Sequence, residues 1–391
     1  MTPLNHLLLS LLLVLLLSLA ETTEPAMEDL INRNMDFDAH LYRAVASRSD
    51  DNVVLSPFCL SAGMLALLSA ANGPTRDQLL QGLFLNGLNP QTLPDQFQTL
   101  RNLVLQRDAP LNLRHGMAVF PSQSVQVSDS YQTLVQTKLG GLVQSVSYTE
   151  PPEALDAINR WVQEQIGDGF QELLSTMDFQ TQLLVATATR YQPQFDPPFD
   201  SSSTQDERFY VDRYHVVMVP MMFRADKYFL AYDVLVKAGV LKLPMADGAA
   251  MLVVLPDEGV DLTTVEEEIT SQKIKTWILK LKKTKLEVQL PRFLLEHSYS
   301  LKDILQTLDI TKVFQDDADL SNLGGAKLTQ ILHTSVMTVN ESVADTSSPG
   351  GRPFSTPPPR LTLNRPFIFI IYQESTSCLL FMGRVTDPTQ K

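Results

Sequence analysis

Apolar residues in the first part of the chain recur mainly at the spacing of helices. Between residues 27 and 45 they return four positions apart, at Ile31 and Met35 and again at Leu41 and Val45. Residues four apart lie on one face of a helix, so this spacing predicts an amphipathic helix.

A second helix is predicted to begin at Ser56-Pro57, because serine is a common N-cap and proline is tolerated in the first helical turn. Its body, CLSAGMLALLSAA, is apolar on nearly every face, which indicates burial. Further helices are predicted from Thr75, around Leu93 to Val104, after Pro151-Pro152 as far as Gly167 or Gly169, and at 300–308.

Beyond about residue 180 the apolar residues form shorter runs of strand length. One strand is predicted earlier, at 111–120, and the others are 182–189, 209–223, 239–245, 249–255, 285–293, 328–339, 366–372 and 378–385. Helices first and strands later, with few alternations, indicate an α+β fold and not a doubly wound sheet. No internal repeat or break in composition divides the chain, so we expect a single domain over 21–391.

The leucine-rich run from Leu7 to Leu19 is too short to span a bilayer, and Ser18-Leu19-Ala20 resembles a cleavage site. We interpret residues 1–20 as a secretion signal, although only His6 supplies a basic residue before the run. No later apolar run is long enough for a membrane. We therefore expect a soluble, extracellular mature protein with no transmembrane segment.

Composition narrows the class of protein further. The chain has 391 residues, of which 44% are apolar, and a net charge of −13. Such an acidic chain is not expected to bind nucleic acid. Cys59 and Cys378 each lie in an apolar context, which favours two buried free thiols over one long-range disulfide.

No common catalytic signature is present. The chain lacks a G-x-S-x-G elbow, an H-E-x-x-H helix, a glycine-rich phosphate loop and a C-x-x-C pair, and its six histidines lack metal-ligand spacing. His333 lies mid-strand and by itself suggests a hydrogen-bonded core residue. We expect no enzyme activity, no metal and no tightly bound cofactor.

Residues 341–364, ESVADTSSPGGRPFSTPPPRLTLN, are polar and lie between two apolar strands. Five prolines and Gly350-Gly351 prevent a regular helix, and composition alone would suit a flexible linker. The strands that follow must return to the same core, however. This favours a functional loop displayed on the fold.

A cluster of lysines stands out in this acidic chain and comprises Lys273, Lys275, Lys280, Lys282, Lys283 and Lys285. It is typical of a solvated strand-and-turn edge, where lysine prevents further pairing, and it would also suit a sulfated polysaccharide or an acidic partner. Asn340-Glu341-Ser342 is the sole N-glycosylation sequon, so Asn340 is a candidate glycosylation site at the edge of the loop.

Several distant motifs together resemble the serpin family, in particular its antitrypsin-like clade. They include NVVLSPFCLSAGMLAL (52–67), FYVDRYHVVMVPMMF (209–223), LKLPMADGAAMLVVLP (241–256) and NRPFIFIIYQESTSCLLFMGRVTDP (364–388). The resemblance implies a fold of three β-sheets and about nine helices with an exposed reactive-centre loop at about 341–364. It also implies a monomeric plasma inhibitor of a serine protease, chymotrypsin-like or of blood coagulation. The lysine cluster adds a heparin-like glycosaminoglycan as a candidate modulator.

The same resemblance assigns roles to residues. The loop hinge would comprise Glu341, Val343, Ala344, Asp345, Thr346, Ser347 and Ser348. Ser56, Thr187 and His333 would form the shutter where the large sheet opens, with Thr187 in place of the usual asparagine. Phe195 stands in place of the usual tryptophan near the top of that sheet, beside Pro193 in place of a glycine.

The resemblance implies Phe354–Ser355 as the reactive bond, because residues 354–358 match an aromatic-Ser-x-Pro-Pro pattern of a family member. Arg352 precedes a proline, which resists most serine proteases, and Arg360 lies too near the strand that anchors the loop. Phe354 lies 13 positions after Glu341, about three fewer than the family implies, or about 10 Å at ~3.3 Å per strand residue. This short loop, with Pro349 in its hinge, leaves a non-inhibitory carrier as the alternative function.

Finally, the resemblance places Tyr214 and Glu267 at contacts with a cofactor protein, protein Z. A Tyr suits an interface anchor because it offers apolar area and a polar tip at low entropic loss. The alternative is an ordinary strand-edge tyrosine packed on its neighbours.

Overall fold

The computed structural model describes residues 3–105, 112–167, 174–341 and 356–391, with side chains from residue 25 onward. Within these ranges the chain forms nine α-helices and fourteen strands. The helices are α1 (Pro3–Ala46), α2 (Pro57–Ala70), α3 (Gly73–Gly82), α4 (Leu93–Leu105), α5 (Asp129–Leu134), α6 (Pro151–Ile166), α7 (Leu262–Glu267), α8 (Ser271–Lys280) and α9 (Lys302–Thr307).

The strands belong to two hydrogen-bonded sheets. They are β1 (Val53–Leu55), β2 (Leu113–Pro121), β3 (Leu142–Val143), β4 (Leu183–Tyr191), β5 (Gln205–Tyr210), β6 (Val216–Asp233), β7 (Ala238–Pro244), β8 (Ala249–Pro256), β9 (Lys282–Pro291), β10 (Phe293–Ser300), β11 (Gln330–Val339), β12 (Arg360–Thr362), β13 (Phe367–Gln373) and β14 (Leu379–Val385). The predicted α+β class is therefore confirmed.

The five-stranded sheet has the order β10-β11-β4-β2-β3. Its two central strands, β11 and β4, run parallel from the pair Gln330–Leu184 to the pair Met337–Tyr191. Helix α6 covers one face, where Trp161 packs edge-on against Phe120 at 5.8 Å between ring centroids. Helix α2 covers the other face. Burial on both faces explains why β4 is an apolar run without alternation.

The nine-stranded sheet follows the path β1-β14-β13-β8-β7-β6-β9-β12, with β5 paired to β6. The long strand β6 pairs first with β5 and later with β7, and it pairs with β9 without a register break from Met221 to Leu230. The resemblance implied three sheets. Here β6 joins what would be the two smaller ones into a single hydrogen-bonded sheet.

Several predicted elements needed correction. The stretch 209–223 is not one strand, because the carboxylate of Asp212 accepts hydrogen bonds from the backbone N–H groups of Tyr214 and His215 and closes a turn between β5 and β6. The stretch 285–293 divides at Arg292 between β9 and β10. The short helices α5, α7 and α8 were not predicted.

In the part of the chain that is described, no helix is both long and apolar enough to cross a membrane.

Candidate functional site

The parallel junction of β11 and β4 leads directly into the segment predicted to be the reactive-centre loop. Strand β11 ends at Val339, and Asn340 and Glu341 follow it. The junction is closed, because the two strands are hydrogen-bonded to each other as neighbours along eight residue pairs. It is also held by side chains at its middle and at its end.

His333 lies at the middle of the junction. The backbone N–H of Ser56 donates to His333 Nε2 at 2.9 Å, and the Ser335 hydroxyl lies 2.9 Å from the same nitrogen. Since Nε2 accepts, the proton of a neutral imidazole sits on Nδ1, which lies 2.8 Å from Thr187 Oγ1. The Thr187 hydroxyl in turn donates to the carbonyl of Leu332.

Burial keeps this imidazole neutral. His333 is fully buried, and desolvation lowers its pKa from 6.5 to about 3. Protonation would also place a second N–H where Ser56 already donates. The hydrogen bonds therefore require neutral histidine.

The structure thus brings together Ser56, Thr187 and His333, which the resemblance grouped as a shutter. The three residues belong to three elements: the N-cap of α2, strand β4 and strand β11. Ser56 is further fixed by its hydroxyl, which donates to the carbonyl of Leu380 at 3.0 Å. Their part in opening the sheet stays a prediction.

At the end of β11, Glu341 is held by an ion pair. Arg292 Nε donates to both carboxylate oxygens at 2.7 and 2.8 Å, and the hydroxyl of Thr204 donates to the same carboxylate. Burial by itself would raise the pKa of Glu341, but the Arg292 and Thr204 hydrogen bonds outweigh it and leave the pKa lowered. The first predicted hinge residue is therefore anchored as a carboxylate.

The other hinge residues and the predicted reactive bond lie outside the described residues; they are Val343, Ala344, Asp345, Thr346, Ser347, Ser348, Phe354 and Ser355. The chain is described again from residue 356, and β12 pairs in parallel with β9. Arg360 is anchored there to Glu287 at 2.8 Å. The segment between Glu341 and Arg360 thus links the five-stranded sheet to the nine-stranded one.

A second contact ties the ends of the two junction strands. The side-chain Nε2 of Gln192, the residue after β4, donates to Asn340 Oδ1 at 3.2 Å. Phe195, three residues further on, is buried and packs edge-on against Phe199 at 5.3 Å. An aromatic side chain therefore does occupy the position where the resemblance implied a tryptophan.

The lysine cluster divides between helix and strand. Lys273 lies in α8 and is paired with Asp233 at 3.1 Å, and Lys275 donates to Asn32 at 2.5 Å. The remaining four are exposed at the end of α8 and on β9; they are Lys280, Lys282, Lys283 and Lys285. The prediction of a strand-and-turn edge is therefore wrong for the helical half of the cluster.

Tyr214 lies at the tip of the β5–β6 turn and is 96% exposed. The alternative that it packs on neighbouring strand residues is wrong, because the Asp212 turn lifts it away from them. Glu267 is exposed at the end of α7, which adjoins Asp233 at the opposite end of β6. The regular part of β6, from 221 to 230, is already about 30 Å long at ~3.3 Å per residue, so the structure does not bring these two residues together.

Cys59 and Cys378 are free and buried. Desolvation raises the pKa of Cys59 to about 12 and also raises that of Cys378. The alternative of a disulfide between them is wrong, and two protonated thiols remain.

A cavity of about 650 Å³ lies away from the junction, between α1, α4, α8 and the β13–β14 turn. Its apolar lining includes Met27, Ile31, Leu103 and Ile278, together with Leu279, which is 83% exposed. Lys275 and Thr376 add polar groups. Its volume lies within the range of small-molecule sites.

Sequence reasoning missed Arg292, Thr204 and Ser335 in this site. Arg292 is separated from Glu341 by 49 residues and Thr204 by 137, and no local pattern connects them. Ser335 follows His333 by two residues on one strand, so alternation along β11 would have placed the two side chains on the same face.

Comparison with known proteins agrees with this geometry. The model of the family described as "Serpin (serine protease inhibitor)" matches residues 32–388. The mouse protein Z-dependent protease inhibitor is 30% identical over 373 residues, 93% of this chain and 83% of the mouse protein. Horse alpha-1-antiproteinase 2 is 31% identical over 377 residues, 94% of this chain and 89% of the horse protein.

Solved structures give the same result. The crystal structure of the mouse protein Z-dependent protease inhibitor matches with a TM-score of 0.87 at 30% identity, covering 94% of this chain and 99% of that one. Human thyroxine-binding globulin complexed with thyroxine matches with a TM-score of 0.85 at 26% identity, covering 93% and 99%. With the family model spanning most of the chain and the fold shared throughout, this protein is a member of the serpin family of serine protease inhibitors.

Proposed function

We propose that this serpin is a secreted, monomeric inhibitor of an extracellular serine protease and acts by cleavage and insertion of its reactive-centre loop. The observation that supports this best is the closed β4–β11 junction, whose strand β11 runs directly into the loop. A parallel pair leaves room for one antiparallel strand between its members. The chain leaving β11 can supply that strand by turning back.

In this mechanism the protease attacks the Phe354–Ser355 bond as it would attack a substrate. The part of the loop before the cut then enters between β4 and β11 and carries the acylated protease with it. Each added residue contributes ladder hydrogen bonds of roughly 0.5–1.5 kcal/mol net, so about ten residues drive an irreversible change. The short loop reduces the distance over which the inserted segment can carry the protease. Pro349 removes one backbone N–H donor from the new strand.

Thermal melting before and after loop cleavage tests the mechanism, on protein produced without N-linked glycan. We expect a chymotrypsin-like protease to cut after Phe354 and the melting midpoint to rise by tens of degrees. Phe354→Ala is the matched control and should lose that cut in mass spectrometry. An unchanged midpoint after complete cleavage would overturn the insertion mechanism, and cutting mainly after Arg352 or Arg360 would overturn the bond assignment alone.

A carrier that does not trap proteases is the second candidate, and the cavity between α1 and α8 favours it. Thyroxine-binding globulin, a structural relative, was crystallised with thyroxine. We propose an amphipathic aromatic ligand of similar size for this cavity. Thyroxine titration by intrinsic fluorescence tests it, with Leu279→Asp expected to weaken binding at least tenfold and the equally exposed Leu235→Asp as control.

A cofactor protein in coagulation is a further proposal, suggested by the relatives that depend on protein Z. Because Tyr214 and Glu267 lie at opposite ends of β6, a single partner must be large to contact both. Binding of protein Z to Tyr214→Ala and Glu267→Ala, measured separately, decides which end is used. A change in binding free energy under about 0.5 kcal/mol would show that the residue is not part of the interface.

For the exposed lysines we propose a heparin-like modulator. Lys285 stands directly opposite Lys227 across β9 and β6, so like charges face one another on this surface. Heparin affinity should fall with salt, and it should fall further in Lys283→Ala than in Lys273→Ala, because Lys273 is already paired with Asp233.

A further inference from the structure

We propose that Asn340 is N-glycosylated in the secreted protein and that its glycan prevents the cleaved loop from entering between β4 and β11. The modification would then select between the two candidate functions, leaving a glycosylated form that is cut without trapping and an unmodified form that traps. This inference rests on the proposed insertion mechanism.

The position of Asn340 is the first step. It follows Val339, the last residue of β11, and its Oδ1 accepts a hydrogen bond from Gln192, the residue after β4. The contact therefore bridges the two strands at the end where the loop begins.

The second step concerns what insertion requires. Neighbouring strands lie ~4.8 Å apart, so admitting a strand between β4 and β11 doubles their separation to about 9.6 Å. The Gln192–Asn340 bond must break, and the chain after Glu341 must pass between these two side chains. A bulky hydrated glycan on Asn340 occupies that entrance.

The third step is that Asn340 cannot easily swing aside. Its neighbour Glu341 is buried and anchored by Arg292 and Thr204. Val339 on the other side is buried in the core. The half-buried asparagine is thus held at the junction by both flanking residues.

The sequon itself is complete. Asn340-Glu341-Ser342 has no proline at its middle position, and it is the sole N-x-S/T sequence in the chain. Any N-linked glycan on the protein must therefore be at Asn340. The total mass difference on enzymatic deglycosylation reports the occupancy of this one site.

The experiment uses full-length protein secreted from animal cells. Ser342→Ala removes the acceptor sequence while leaving Asn340 and its contact with Gln192, and Ser342→Thr is the matched control that retains the sequon. Each protein is weighed by mass spectrometry, cut with a chymotrypsin-like protease and melted before and after the cut.

We expect a glycan on wild type and Ser342→Thr, with little change in their melting midpoint after cleavage. Ser342→Ala should carry no glycan, and its midpoint should rise by tens of degrees. Wild type without glycan, or an equal rise in all three proteins, overturns the proposal and leaves insertion intact. If the melting midpoint of Ser342→Ala also stays unchanged after cleavage, the insertion mechanism is wrong and this inference fails with it.

Discussion

His333 Nδ1 lies 2.8 Å from Thr187 Oγ1, and these two atoms belong to the two strands that loop insertion would have to separate. The contact is neutral and fully buried, so no solvent competes for it while the sheet is closed. Opening the sheet must break it together with the strand pairing.

Thr187→Val keeps the shape of the side chain and removes the hydroxyl. Because the buried His333 Nδ1–H then has no acceptor, we expect the free energy of unfolding to fall by about 1–3 kcal/mol. Urea denaturation measures it. Thr189→Val is the control, since that buried hydroxyl donates only to the backbone carbonyl of Arg114 and should matter less. Equal losses of unfolding free energy in the two variants would show that the contact with His333 contributes no more than the hydrogen bond of Thr189.

His333 should also make stability depend on pH. Its pKa is about 3 when folded and 6.5 otherwise, so the unfolded chain binds the extra proton. Stability is therefore full above pH 6.5 and declines as pH falls toward 3, by about 1.4 kcal/mol per pH unit for each proton. His115, whose pKa burial and Arg101 lower to about 4, adds a second proton.

The check is a series of urea midpoints between pH 4 and 7 for wild type and His333→Gln. The free energy of unfolding should depend on pH less steeply in the variant, by about the uptake of one proton. An unchanged slope would mean that His333 is already protonated in the native protein.

Removing the charge of Glu341 should loosen the start of the loop. Glu341→Gln keeps the size but weakens the Arg292 pair; since Arg292 is 40% exposed, we expect a loss of no more than about 1 kcal/mol. Because the folded pKa of Glu341 is lowered, this contribution is present above the unfolded pKa and disappears as pH falls. Melting at pH 7.4 measures the loss. Asp317→Asn, which affects an exposed pair with Lys312, should change almost nothing; a similar effect of both variants would contradict the argument.

Asp38 is a destabilising feature of the core. It is buried, its Oδ1 has no hydrogen-bond partner among the described residues, and desolvation, with Asp36 nearby, raises its pKa well above 3.8. It lines a small cavity of about 10 Å³ with Ser61 and Cys378, room for one water at most.

Since the folded state holds this proton, stability declines as pH rises above the unfolded pKa. Asp38→Asn should therefore raise the free energy of unfolding by more than ~1 kcal/mol at pH 7.4 and bring little gain near pH 4. Asp36→Asn is the control, because Asp36 is only half-buried and already accepts from Ser271. A destabilised Asp38→Asn protein would show that the carboxylate has a favourable partner.

Apolar periodicity predicted the long elements because their buried faces determine where apolar residues recur along the chain. The helix of Ile31 and Met35 and the apolar body of α2 both lie where the spacing placed them. The turn at Asp212 was missed because it depends on two backbone hydrogen bonds to one side chain, and apolar spacing carries no sign of such bonds.

The site needed more than periodicity. His333 by itself predicted only a hydrogen-bonded core histidine, and its grouping with Ser56 and Thr187 came from family resemblance. These residues are separated by 277 and 146 positions, so only the completed sheet brings them together. Arg292 was missed for the same reason.

The path of the chain after the loop has a consequence for the cleaved protein. Residues 355–391 would become a separate polypeptide after a cut at Phe354–Ser355, yet they include β13, which is buried between β8 and β14, and β12, which is paired with β9. A denaturing gel should show two bands, whereas sedimentation should show one particle of unchanged mass. The fragment can leave only when the whole nine-stranded sheet unfolds, so proteolysis at the loop produces a nicked protein and not a truncated one.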